Sequence, residues 1–200
     1  MSSAVSNIGA QYDEIAPWWN DYHQKSDYGV AALTQALSFT SESGDALDVG
    51  CGSGGRLIRK MVSHGLNLTG VDASAKMIEL ARKNHPKQDF VHSDIQTWET
   101  EVRFDFILAW DSLFHLPLEA QRPVLEKLCK YLRPNGVLLH SFGLPSGEHI
   151  DEWREQIFHY SSMGTAANLD VLRESGLSLR HLERDQYPEN HIISIAVKTG

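Results

Sequence analysis

The sequence predicts an α/β protein with a largely parallel sheet, on three observations. Strand-like and helix-like periods alternate from Asp45 onward. The stretch Leu47-Asp48-Val49-Gly50-Cys51-Gly52-Ser53-Gly54-Gly55 runs a buried strand straight into a glycine-rich turn. The last two strand-like stretches, Leu177 to Leu182 and His191 to Val197, are joined by Arg184 to Asn190. That is too little chain for a crossover helix, so they pair as a hairpin.

The elements follow in order. Ala46 to Val49 is the first strand, Arg56 to Ser63 a helix closed by His64-Gly65, and Asn67 to Val71 the second strand. Ser74 is placed to cap a helix that carries Met77, Ile78 and Ala81 on one face and ends at Asn84-His85-Pro86. Asp89 to His92 is a short third strand, and Phe104 to Trp110 is apolar almost throughout, as a strand covered on both faces should be. The next helix has Val124, Leu125, Leu128 and Leu132 as its core stripe, with Pro123 tolerable only near its start and Pro134-Asn135-Gly136 as its stop. Val137 to Phe142 is a fifth strand. Gly143 to Met163 has no clear sheet period and is expected to cap a site, and Leu169 to Ser175 ends a further helix at Gly176.

With 200 residues, 42 % hydrophobic and 22 % charged, the chain suits a single domain, 1–200, with a full core. A net charge of −8 supplies no basic footprint for nucleic acid or an anionic membrane. Neither a leader-like start at Met1 to Asn7 nor a membrane-length apolar run is present, so a cytoplasmic protein acting on a small molecule is expected. Cys51 lies in the turn and Cys129 on the apolar side of a helix, an arrangement that does not suggest a disulfide.

The glycine turn is a ligand cradle: it permits close backbone approach and precedes a helix N-terminus with free N–H groups. Gly50, Gly52 and Gly55 also satisfy the dinucleotide spacing. Asp48, two residues before Gly50, would repel a diphosphate and welcome a cation. Asp72, 22 residues after Gly50, can accept from two ribose hydroxyls, as NAD enzymes also arrange.

On these motifs the chain resembles the class I S-adenosylmethionine-dependent methyltransferases of the small bacterial single-domain type. Leu47 to Gly54 resembles their first motif, Val71-Asp72-Ala73-Ser74 the acidic end of the second strand, Ser93-Asp94-Ile95 the adenine-contacting turn, and Phe104 to Trp110 the fourth-strand motif. Leu132 to Gly136 is similar to the turn before the fifth strand, with Val137 where many relatives carry a second glycine. The resemblance implies a Rossmann-like three-layer sandwich whose seven-stranded, mostly parallel sheet has an antiparallel last strand. It implies S-adenosylmethionine as cofactor, S-adenosylhomocysteine as product and a small acceptor methylated on oxygen, nitrogen or sulfur.

Cofactor contacts are then assigned to Asp48, Gly50, Cys51, Gly52, Gly54, Asp72, Ala73, Met77, Asp94, Ile95 and Trp110. Turn capping is the structural alternative for Asp48, Asp72 and Asp94, and core packing that for Met77 and Ile95. Residues 1–40 resemble the family's N-terminal lid. Within it Tyr12, Ile15 and Trp19 recur at helical spacing, so Tyr12 or Trp19 either closes over the sulfonium or packs on the sheet.

The chemistry is expected in Trp110 to Leu116, at the carboxyl end of the fourth strand. His115 is the candidate base, with Asp111 as its orienter or a second candidate; the alternative is that His115 packs under the cap, residues 143–165, or caps the next helix. His140, His149, His159 and His191 are scattered without ligand spacing, so no metal is expected. The segment lacks the Asn/Asp-Pro-Pro-aromatic pattern of enzymes that methylate nucleic-acid bases. Two rival readings remain open: an NAD-dependent oxidoreductase, against which Asp48 and the closing hairpin speak, and a catalytically silent S-adenosylmethionine-binding regulator.

Overall fold

The computed structural model describes residues 8–200; residues 1–7, where the expected lid begins and no leader was expected, lie outside the described residues. In chain order the strands are β1 (Gly44–Val49), β2 (Leu66–Asp72), β3 (Asp89–His92), β4 (Phe104–Ala109), β5 (Leu132–Gly143), β6 (Ser146–Trp153), β7 (Gln156–Met163), β8 (Leu177–Arg184) and β9 (His191–Lys198). The helices are α1 (Ile8–Lys25), α2 (Val30–Leu37), α3 (Arg56–Ser63), α4 (Ala75–Asn84), α5 (Leu118–Tyr131) and α6 (Gly164–Glu174).

Seven strands form one sheet in the order β3-β2-β1-β4-β5-β9-β8. β9 runs antiparallel to both neighbours, and the remaining pairs are parallel. Alternate residues of the central strands serve opposite cores. Ala46, Phe106 and Leu108 pack with Leu33, Ile58, Met61 and Ile78 of α2, α3 and α4. Leu47, Ile107 and Leu138 pack with Leu125, Leu128 and Val171 of α5 and α6. Both faces being covered, these strands read as unbroken apolar runs. The order of pairing reverses between β1 and β4, which sets the binding crevice beyond their carboxyl ends.

Three expectations are corrected. Leu132, expected on the helix, opens β5 opposite Phe104; it stays buried, so its apolar character was real while the stripe gave the wrong element. Pro123 is not near the start of α5 but inside it, in a helix that begins at Leu118. The span from Gly143 to Met163 is an ordered two-stranded sheet, β6 against β7 in continuous register. Every residue of β6 is exposed, so it carries no buried alternation to announce a strand. Its tip, Arg154-Glu155, has both residues at positive φ, 52° and 62°, the backbone of a two-residue hairpin turn.

α1 crosses the carboxyl ends of the strands and is fastened to the start of α4. Ser74 caps α4 through the Met77 N–H at 3.1 Å and donates to the Asp13 carboxylate at 2.5 Å, which also takes the Lys76 N–H at 2.9 Å. Gly9 lies so close to the β2–α4 turn that a Cβ there would stand 2.2 Å from the Ala73 carbonyl oxygen. Arg154 then stacks on Trp18 at 3.4 Å, joining the hairpin tip to α1. Among the described residues, no helix is long and apolar enough to cross a membrane.

Gly9→Ala is expected to lift α1 off Ala73 at a cost of roughly 1–3 kcal/mol, as in overpacked contacts elsewhere. Amide exchange should accelerate across α1 while the β1–β4 core keeps its protection. Uniform acceleration would show that α1 is not a separately docked unit.

Candidate active site

The crevice holds one cavity of about 500 Å³ that runs from Asp94 and Ile95 at one end to His115, His159 and Tyr160 at the other. The turn after β1 forms its floor. Gly50 (φ 72°) and Cys51 both donate their N–H to the Val71 carbonyl, and a Cβ on Gly50 would sit 2.4 Å from that of Ser112. Only glycine therefore lets the β1 and β4 exits pass this closely.

Two carboxylates lie behind the turn. Asp72 accepts the Gly52 N–H on one oxygen and the Ser74 N–H on the other, both at 2.8 Å, which leaves a lone pair on each for a ligand. Burial nonetheless raises its pKa. Asp48 is 4 % exposed, and burial with the nearby Asp72 charge pushes its pKa up to about 8 against the opposing pull of Arg56. Arg56 is held by the Tyr28 carbonyl and Nδ1 of His23, whose own pKa is lowered to about 4 by burial and the guanidinium.

The predicted contacts are distributed unevenly. Gly50, Cys51, Gly52, Asp72, Ala73, Met77, Ile95 and Trp110 line the cavity, as do Tyr12 and Trp19; Trp19 stands over Gly52, its indole nitrogen 3.2 Å from where a Cβ would be. Gly54 faces away, against Ala81 and His85 of the α4 end. Cys51 is buried, and that burial, with Asp72 and Asp48 nearby, raises its thiol pKa, so it serves as a small turn residue. Asp94 adopts the capping alternative, bonding the Gln96 N–H at 2.8 Å and its side-chain amide at 3.0 Å, while remaining on the cavity rim.

At the far end, His115 donates Nδ1–H to the His159 carbonyl at 3.1 Å. A carbonyl can only accept, so Nε2 carries the lone pair and takes the Tyr12 hydroxyl at 2.9 Å. Burial lowers the His115 pKa to about 4, keeping the ring neutral. Gln121 sets this geometry from α5: its side chain bonds the Leu113 and Ser161 carbonyls and the Met163 N–H, clamping the β4 exit to β7.

Asp111 does not orient His115. Held at φ 50°, it accepts the Ser141 hydroxyl at 2.9 Å and Nε2 of His191 at 2.8 Å, while Nδ1 of His191 donates to Asp185. Two carboxylate partners outweigh burial and raise the His191 pKa. His140 is a core residue between Asn168 and Ser194, and His149 stacks on Tyr160. The sequence reading missed Arg56, Glu148 and Tyr160 as cavity residues. For Arg56 a signal existed, since it directly follows Gly55 at the start of α3; Glu148 and Tyr160 sit in the unrecognised hairpin.

Residues 46–136 match the family model of a methyltransferase domain. With this sheet order and cradle, the chain has the fold of the class I S-adenosylmethionine-dependent methyltransferases and is similar to them in sequence over that domain. It is similar to a ubiquinone biosynthesis O-methyltransferase of Coxiella burnetii (strain Dugway 5J108-111), 31 % identical over 158 residues that cover 70 % of this chain and 65 % of that protein. It therefore spans just under two thirds of that relative's length. The enzyme of the same name from Rickettsia typhi is 26 % identical over 210 residues, covering 92 % of this chain and 84 % of its own. The fold matches that of a Burkholderia thailandensis 1,6-didemethyltoxoflavin-N1-methyltransferase, solved with 1,6-didemethyltoxoflavin and S-adenosylhomocysteine, at a TM-score of 0.76 and 20 % identity over 98 % of this chain and 88 % of that one.

His191 gives a pH test. Its folded pKa exceeds the unfolded value, so its contribution to stability is complete below about pH 6.5 and is lost as pH rises through the folded value. His191→Gln should flatten that decline in denaturant unfolding measured from about pH 6 to about pH 9. Equal slopes for the two proteins would mean that His191 is not the charged bridge.

Proposed function

We propose that the protein transfers the methyl group of S-adenosylmethionine to a hydroxyl of a small aromatic acceptor by in-line displacement. The observation that carries this reading is the continuity of one cavity from Asp72 and the Gly50–Gly52 turn to the neutral His115. The name of the Coxiella relative supports oxygen as the atom methylated.

The residues present fit the cofactor. Asp72 keeps a free lone pair on each oxygen for a vicinal diol, Ile95 and Met77 offer apolar walls, and the Ser53 and Ser112 hydroxyls are buried without a protein partner. Asp48 faces the cavity as an acid that a cation would ionise. When bound, the cofactor supplies a methyl group on a sulfonium, an already activated leaving group. The protein's task is then placement, a source of roughly 7–11 kcal/mol when the nucleophile is held in line.

Beside His115, Tyr12 and Tyr160 offer flat faces to an acceptor. Arg56 is already engaged by Tyr28 and His23, and Asp111, Glu119 and Glu148 also line the cavity, so the lining suits an uncharged ring better than a carboxylate or phosphate. His115, unprotonated across the physiological range and with its Nε2 lone pair on the Tyr12 hydroxyl, is the base on which the proton lost by an attacking hydroxyl would come to rest. α1 serves as the lid over both halves.

Two measurements test this. Calorimetry should find S-adenosylhomocysteine bound and NAD not, with Asp72→Ala weakening binding by roughly 1.5–3 kcal/mol. Asp48 should release protons as the ligand's ammonium enters, so affinity should rise with pH up to about 8, and the heat should depend on the buffer. Asp48→Asn should abolish the buffer dependence; retention of it would remove Asp48 from the cation site. For the acceptor, methyl transfer to catechol should exceed transfer to benzylamine or thiophenol. Preference for either of the latter would overturn the hydroxyl assignment.

A further inference from the structure

The contact between Tyr12 and His115 has no chemical role in the reading above, where the Tyr12 ring is an aromatic wall. Three features of it stand out. The Nδ1–H of His115 is committed to the His159 carbonyl, so the lone pair of Nε2 has one fixed direction, and the Tyr12 hydroxyl occupies it at 2.9 Å. Both residues line the cavity, so the pair borders the space where an acceptor would bind. The Tyr12 ring is wedged between Trp19 and Phe158, each at 5.3 Å, and meets the His115 ring at 5.5 Å, so it is not free to swing aside and leave Nε2 to the acceptor.

We propose that Tyr12 is a catalytic proton relay, accepting the acceptor's proton on its hydroxyl oxygen as it passes its own proton to Nε2 of His115. The inference rests on the methyl-transfer reading. The acceptor oxygen gives its proton to Tyr12 and uses its lone pair to form the new bond to carbon. The carbon–sulfur bond breaks with its electron pair left on sulfur. Tyr12 is regenerated, and His115 becomes an imidazolium that then loses its proton to water. One methyl group is moved and one proton is released.

The electrostatics agree with the direction of transfer. Burial, with Tyr160, Asp72 and Asp111 nearby, holds the Tyr12 hydroxyl in its protonated form, so it acts as a donor to His115 and never as a standing phenolate. A weakly basic His115 is sufficient, because an oxygen that is gaining a methyl group becomes far more acidic than the free hydroxyl. Positive charge leaves the sulfonium as it arrives on the imidazole, so the cavity's net charge is preserved through the step.

Tyr12→Phe keeps the ring and its contacts while removing only the hydroxyl. With catechol as acceptor, it should lower kcat by on the order of 10²-fold, keep S-adenosylhomocysteine affinity within about threefold, and remove one of two protons from the solvent-isotope proton inventory. A relay acts as a unit, so Tyr12→Phe combined with His115→Gln should cost no more than either change alone. Unchanged kcat in Tyr12→Phe, or additive losses in the double variant, would overturn the relay. The imidazole ¹⁵N spectrum of the ligand-free protein needs no acceptor. A Nδ1–H tautomer whose Nε2 signal moves in Tyr12→Phe is expected, and an unmoved signal overturns the pairing. Failure of the hydroxyl reading looks different: the wild-type protein would then prefer benzylamine or thiophenol, with the loss in Tyr12→Phe persisting.

Discussion

Two acidic side chains, the buried Asp48 and the half-buried Asp72, are brought together at the ends of adjacent parallel strands, and the other features of the cavity answer to that placement. Unpaired, such charges are expensive, and the fold meets them in different ways. Asp72 is given backbone N–H groups from both flanking turns, whereas Asp48 is left to bind a proton. The glycines at positions 50 and 52 thus do more than free the backbone: the N–H of Gly52 reaches Asp72 only because the turn folds back tightly over Val71. At the other end of the crevice the same problem has the opposite solution, since His191 compensates Asp111 and Asp185 with a charge of its own.

This division explains how Asp111 and His115, only four residues apart, have different environments. Asp111 is turned by its positive φ toward β5 and β9, where Ser141 and His191 occupy it. His115 sits on the short turn that follows and faces α1 and β7. The first is a strut that holds the β4 exit in place, and the second is the group directed at the cavity. Gln121 ties that exit to the hairpin, so displacement of β7 would carry the imidazole with it.

The sheet, the cradle and the acidic end of β2 were legible because each has a local signature. These are an apolar run covered on two faces, glycines closely spaced after it, and a carboxylate one strand away. The Ser74 cap was legible for the same reason. The partners of Asp111 were not, since His191 lies 80 residues away and is brought alongside only by β9 entering antiparallel beside β5. Nor was the hairpin. Ser-Gly-Glu-His-Ile-Asp-Glu-Trp has no buried face, and its strand character comes from pairing with β7 and from the contacts of its tip with Trp18. Tyr12 was found by its helical spacing, but spacing could not tell which atom its hydroxyl would meet.

Chain enters and leaves the β6–β7 hairpin at nearly the same place, where the Thr165 N–H meets the Leu144 carbonyl and Ser162 bonds that of Gly143. The hairpin is nonetheless built into the body: Phe158 is buried, Met163 packs against the core under α5 and α6, and β7 is bonded to Leu116, Gln121 and His115. A change in its lining is therefore never local: β7 anchors both the His115 imidazole, through the His159 carbonyl, and the Tyr12 ring, through Phe158, so two separate walls of the cavity answer to one strand.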